Sequence, residues 1–113
     1  MTSPTFTSGD TAPYVVTIKV GTTAYAVDPA DTVTAEFVSI KGVAITSAVA
    51  QVSTTAGADW PNGIIAVAFD STNSALLGAF DKQSVVLEIK IAKTVGGSRR
   101  FQTNYLVRKG YIP

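Results

Sequence analysis

The stretch VVLEIKIAKTVGGSRRFQTNYLVRK, residues 85–109, decides the fold. Its first half alternates: Val85, Leu87, Ile89 and Ile91 take one side, and Val86, Glu88, Lys90 and Ala92 the other. That period of two marks a strand with one buried face. After Val95-Gly96-Gly97 the chain returns with Phe101, Thr103, Tyr105 and Val107 on one side. Gln102, Asn104, Leu106 and Arg108 fall on the other. A two-residue loop at Gly96-Gly97 would set Ile91 against Gln102 and Ile89 against Asn104, turning polar side chains inward. A three-residue loop over Val95–Gly97, with Gly97 left-handed, restores the match. It predicts the pairs Ile91 with Phe101, Ile89 with Thr103, Leu87 with Tyr105 and Val85 with Val107. The outer face then pairs Val86 with Leu106, an apolar couple on the side away from the core. The tail residues Tyr111 and Ile112 leave the sheet at that end. Four apolar side chains converging outside a core suggest a patch covered by the tail itself or by another subunit.

Outward from this hairpin the chain is a succession of short β-prone runs. Tyr14–Val20, Ala24–Val27, Val33–Ile40 and Ile64–Phe69 read as strands. They are punctuated by Gly21-Thr22-Thr23, Asp28-Pro29-Ala30-Asp31, Lys41-Gly42 and a loop over Thr55–Gly63. Ile45–Thr54 is β-prone but weakly patterned. Ile64–Phe69 is apolar enough to be covered on both faces. Ser71 or Thr72 is placed to cap a short helical turn that Gly78 stops. About seven short strands with little helix predict an all-β fold, a single antiparallel β-sandwich of immunoglobulin-like kind. A small barrel is the alternative. Residues 1–11 hold one apolar side chain, Phe6, among Thr, Ser, Pro and Gly. They read as an extended N-terminal arm ahead of a domain over residues 12–113, with Phe6 as the anchor for a neighbour's groove.

Composition narrows the chemistry. The 113 residues make one domain, large enough to bury a core without metal or disulfide help. Charged residues are 15%, below the roughly 25% usual for globular chains. Surface formed by small residues and partly covered by neighbours fits that figure. Cysteine and histidine are both absent. Disulfides, thiolate metal sites, cysteine nucleophiles and histidine bases are therefore excluded. A net charge of +1 argues against nucleic-acid binding. No apolar run approaches the ~20 residues of a membrane-spanning helix, and Met1–Asp10 has no signal-peptide pattern, so synthesis in a cytoplasm is expected.

Candidate sites are few. The carboxylates Asp10, Asp28, Asp31, Asp59 and Asp70 would have to converge to bind calcium or act as an acid–base pair. Only Asp28 and Asp31 are close, in a turn where Asp is ordinary. Arg99 and Arg100, with Lys93 across the turn, form a basic cluster besides Arg108-Lys109. They read as an anion dock or as charges that guard the strand ends. Trp60, beside Pro61 and Gly63, reads as a lid on the core or, with Tyr25, as a platform for a sugar ring. These residues predict no catalytic group, no cofactor, no metal and no small-molecule substrate. The protein-contact candidates are Phe6, Val86, Leu106, Tyr111, Ile112, Arg99 and Arg100.

One family resemblance rests on whole-chain punctuation. Gly9-Asp10-Thr11 precedes the first strand. Asp28–Phe37 is similar to a D-x-x-x-A/T-V entry into a third strand. Asn62–Phe69 runs as an Asn-Gly-led apolar strand into a helical turn ending at Gly78, and a hairpin and a Gly-Tyr-Ile tail close the domain. In these features the chain resembles the N-terminal domain family of tailed-phage baseplate upper proteins and related small virion proteins. The resemblance implies an immunoglobulin-like fold and a non-enzymatic structural role in a bacteriophage particle, with other virion proteins and copies of itself as partners. Receptor-binding members continue into a fibre, whereas this chain stops at Pro113. The expectation is therefore a head decoration (cement) protein or a small tail or baseplate component. The alternative is a carbohydrate-binding or adhesion module.

Overall fold

The computed structural model describes residues 3–50 and 57–112. The protein is mostly β. In chain order the strands are β1 (Thr5–Thr7), β2 (Tyr14–Thr17), β3 (Lys19–Val20), β4 (Thr23–Ala24), β5 (Thr32–Ser39), β6 (Val49–Ala50), β7 (Ile64–Val67), β8 (Ser84–Ala92) and β9 (Ser98–Arg108). A 3-10 turn over Trp60–Asn62 leads into β7. The six-residue helix α1 (Ser71–Leu76) and a second 3-10 turn, Leu77–Phe80, lead into β8. The main sheet has the order β1-β9-β8-β5-β6. It is mixed, because β1 runs parallel to β9 and every other pairing is antiparallel. β2 and β7 form an antiparallel ribbon, and β3 and β4 a small hairpin.

The alternation in β5 and β8 does what period two requires. Val33, Ala35 and Phe37 of β5 and Val85, Leu87, Ile89 and Ile91 of β8 are buried, and the residues between them are half-buried or exposed. The β2–β7 ribbon and the helical segment supply the rest of the core, with Val16, Ile65, Val67, Phe69 and Leu77. Phe37 is an aromatic hub, its ring centroid 4.8 Å from Phe6, 5.2 Å from Phe69 and 5.6 Å from Tyr105. Both faces of β7 are covered, as its unbroken apolar run predicts: Ile65, Ala66 and Val67 are all buried. At Gly63 the backbone turns left-handed (φ 74°), and an added Cβ would lie 2.6 Å from the Ile18 carbonyl oxygen. A side chain there would break the Ile18 N–H to Gly63 C=O bond that starts β7 beside β2.

Four expectations need correction. First, residues 5–7 belong to the sheet instead of forming a free arm. Thr5, Phe6 and Thr7 pair with Leu106, Val107 and Arg108, and Phe6 is 1% exposed in the protein's own core. The latch continues beyond the strand: Ser8 N–H donates to the Arg108 carbonyl, Gly9 N–H to Ser74 Oγ, and the Tyr14 hydroxyl to Asp10 Oδ2. A three-residue strand needs only one inward apolar side chain, so a polar composition conceals it. Second, the β8–β9 register is two residues from the expected one. Ile89 pairs with Phe101, Leu87 with Thr103, Val85 with Tyr105 and Ile91 with Arg99. The loop still has three residues, but they are Thr94, Val95 and Gly96, closed by Lys93 N–H to the Gly97 carbonyl at 2.9 Å. A slip of two keeps every face, so hydrophobic patterning cannot detect it. Third, α1 is capped by Asp70, whose Oδ1 accepts from Asn73 N–H at 2.8 Å, and not by Ser71 or Thr72. Gly78 does not stop the helix but lies inside the 3-10 turn that follows it. Fourth, the Tyr14–Val20 run is broken at Ile18, which turns into the core between β2 and β3. The part of the Ile45–Thr54 run and of the following loop that falls on residues 51–56 lies outside the described residues.

Candidate interaction surface

The protein-contact candidates are dispersed. Phe6 is internal. Val86 and Leu106 share the outer face of the main sheet, both half-buried, but the register sets Val86 opposite Asn104 and Leu106 opposite Ser84 and Thr5. The tail does not fold over them. Lys109 N–H donates to Asp81 Oδ1 and Gly110 N–H to Ser8 Oγ, which turns the chain past the end of β1 toward α1. At Gly110 an added Cβ would collide with the Ser8 carbonyl oxygen, so the passage admits glycine alone. Tyr111 and Ile112 then lie along Ser8, Gly9, Ala75 and Gly78, 79% and 93% exposed.

Sequence reasoning missed three further exposed apolar residues. Ile40 and Val43, in the turn after β5, and Leu76, at the end of α1, are large apolar side chains open to water. Ile40 lines a groove of about 560 Å³ with Lys41, Phe80 and Gln83. Apolar residues inside the turn segment Ser39–Val43, where polar ones are usual, were the available signal. Lys41, which lines the same groove as Ile40, is exposed, as are Lys82, Arg108 and Lys109. Lys82 has a left-handed backbone (φ 64°), a conformation that glycine or asparagine adopts more cheaply.

The basic tip does not form one dock. β9 begins at Ser98, so Arg99 and Arg100 point to opposite faces. Arg99 lies 5.7 Å from the Tyr25 ring, and Arg100 sits on the outer face opposite Lys90. Lys93 shares the Tyr25 ring with Arg99 but is also tied to Asp31. Its Nζ lies 2.9 Å from Asp31 Oδ2, donates to the Ala26 carbonyl at 2.8 Å, and sits 4.9 Å from the Tyr25 ring.

The five aspartates are not brought together. Asp10 accepts from Tyr14, Asp28 from Ala30 N–H, Asp59 from Asn62 Nδ2 and Asp70 from Asn73 N–H. Each thus serves its own turn or cap. Asp31, buried beneath Lys93, accepts from Asp28 N–H and Thr94 N–H. Burial pushes its carboxyl up, but the Asp28 amide, the Lys93 ammonium and the Thr94 amide outweigh it and hold the group below its ordinary value. Among the described residues there is no group of three metal-ligating side chains. On the outer face Glu36 lies opposite Glu88, and Lys90 opposite Arg100. They border a shallow recess of about 130 Å³ that is open to water.

Trp60 is 4% exposed and packs in the core below its 3-10 turn, where its ring face is closed to a ligand. Its Nε1 has no hydrogen-bond partner among the described residues. Tyr25 is half-buried, with Phe101 at 5.0 Å. The pair therefore offers no open aromatic platform for a sugar.

No family model, no curated protein and no solved structure matches the chain.

Proposed function

We propose that the protein is a non-enzymatic structural component of a bacteriophage particle that docks on other virion proteins in several copies, on an immunoglobulin-like sandwich. The observation that carries the docking role is the exposure of the large apolar side chains Ile40, Val43, Leu76, Tyr111 and Ile112, with Lys41, Lys82, Arg108 and Lys109 exposed as well. Large apolar side chains left open to water, with charged ones exposed nearby in sequence, are the usual material of a protein contact. The immunoglobulin-like part is supported by strand order: the first strand lies parallel on the last, and the β2–β7 ribbon covers the sheet's apolar face. The phage assignment rests on the punctuation of the sequence.

The test is particle composition. Density-purified particles of a phage that encodes the chain should contain it in many copies, measured by quantitative mass spectrometry. Replacing Tyr111 with Ser and Ile112 with Asp together should remove it from the particle without lowering its melting temperature. Absence of the parent chain from particles would overturn the proposal.

A further inference from the structure

The outer face of the main sheet carries its charges in two adjacent rows, each of one sign. Glu36 lies directly opposite Glu88, and two residues further along β8 Lys90 lies directly opposite Arg100. Like charges so placed repel, and the single chain gains nothing from them. Among the described residues no ion pair relieves either row. The acidic row has one side-chain hydrogen bond, from Gln102 Nε2 to Glu88 Oε1 at 3.0 Å. The recess that Glu36, Glu88, Lys90 and Arg100 border is open to water, and Arg100 and Gln102 are exposed. The β2–β7 ribbon covers the opposite face of the sheet. Gly57, where the described chain resumes after Ala50, lies against Val15 on that ribbon.

We propose that this face binds the same face of a second copy. The occupant follows from the order of the charges. Consider two stacked sheets related by a twofold axis that lies between them and runs across the strands. Such sheets keep their columns and reverse their rows. With the axis over Ile89, the acidic row of each copy covers the basic row of the other. Lys90 faces Glu88 of the copy, and Glu88 faces its Lys90. Arg100 faces Gln102, with Glu88 one column away, and Thr34 faces Glu36. The next rows agree as well, since Ala92 meets Val86 and Ser98 meets Asn104. An axis moved onto the row of Glu88 or of Lys90 sets like charges face to face. So does an axis along the strands. Stacked sheets cross at about 30°, so the fit is closest at the axis, where Lys90 and Glu88 stand. Three strands over four rows cover about 400 Å² per copy, roughly half of a standard interface. A contact of that size is weak in solution and becomes effective where many copies are held close together.

The inference rests on the reading of the protein as an assembly component, but the purified chain tests it without a particle. Lys90→Glu sets a carboxylate against Glu88 of the copy, twice per dimer. Glu88→Lys sets an ammonium against Lys90, again twice. Each variant alone should self-associate about tenfold more weakly than the parent. Mixed in equal amounts, the two variants restore opposite charges at both positions, so the mixture should form a heterodimer of about parental strength. Sedimentation equilibrium up to millimolar concentration reads this, beside thermal melts of each variant. A companion measurement needs no substitution: raising salt from about 50 to about 500 mM should weaken the parent dimer several-fold. A parent chain monomeric at millimolar concentration overturns the face pairing and leaves docking on other proteins intact. So does a dimer that salt leaves unchanged or strengthens. A mixture of folded variants that associates no more tightly than its components overturns the register and with it the proposal. Should either variant fail to fold, the salt series on the parent decides. Absence of the chain from particles removes the assembly reading and leaves the sedimentation result standing.

Discussion

Asp31 and Lys93 form an ion pair, 2.9 Å between Oδ2 and Nζ, that ties the turn before β5 to the loop between β8 and β9. Asp31 is 1% exposed, and its Oδ1 also accepts from Thr94 N–H at 3.1 Å. Asp31→Asn would set an amide N–H₂ or a single carbonyl where two amides and an ammonium seek acceptors. The expected loss is about 2–3 kcal/mol in chemical denaturation, larger than for an exposed pair. Lys93→Met should cost less, because the two amides still serve the carboxylate.

The same carboxylate gives acid sensitivity. Its pKa is lowered by folding, so the unfolded chain binds the proton more readily. Its contribution is whole well above the ordinary value of 3.8 and is lost as pH falls below it. Stability measured between pH 6 and acid should fall more steeply for the parent than for Asp31→Asn, to about the extent of the neutral-pH difference.

Tyr14 works at the other end of the scale. Burial, then the hydrogen bond to Asp10 at 2.6 Å, push its hydroxyl up to about 12. The neutral form is favoured by folding, so its contribution is complete below pH 10 and lost as pH rises through about 12. Burial raises the Tyr105 hydroxyl as well, so absorbance titration should show late tyrosinates, with one fewer in Tyr14→Phe. Asp10→Asn should bring the Tyr14 step to lower pH.

The N-terminal strand should be structural. Phe6→Ala removes a ring packed 4.6 Å from Tyr14 and 4.8 Å from Phe37, and about 3–5 kcal/mol should go with it. Deleting residues 1–9 should lower the monomer's melting temperature strongly. An unchanged melt would mean that β1 is dispensable.

Leu106→Asp places a charge on the outer face beside Thr5 and Ser84, with no tail above it. The monomer should lose about 1 kcal/mol, as a half-exposed position does. A loss of several kcal/mol in thermal melts would show that the tail does cover this face.

The legible part of the fold was the part encoded in long alternating runs. β5, β8 and β9 each span enough residues for period two to emerge, and the doubly buried β7 shows itself instead by an unbroken apolar run. β1 was hidden because one phenylalanine is all that a three-residue strand can show. The β8–β9 register was hidden for a different reason: pairings two residues apart bury the same side chains, and the choice falls to loop closure at Lys93 and Gly97. Site residues fared worse. Arg99 and Arg100 read as one cluster only while the tip is taken for a loop, and Tyr111 was aimed correctly only once Asp81 and Ser8 were seen to steer the tail. Ile40 and Leu76 lie at element ends, where neither period two nor helical period applies.

The parallel contact of Phe6 with Val107 also fixes an order of events. β1 has no partner until β9, the far end of the same sheet's sequence, has been made. A growing chain must therefore hold an exposed phenylalanine while all the intervening strands are synthesised, and the sheet closes only after β9 has emerged. Contacts so distant in sequence make folding slow and cooperative. Premature termination anywhere in β9 should leave a product that cannot retain its N-terminus and is exposed to proteolysis there, so cellular quality control would discard incomplete copies before they could enter an assembly.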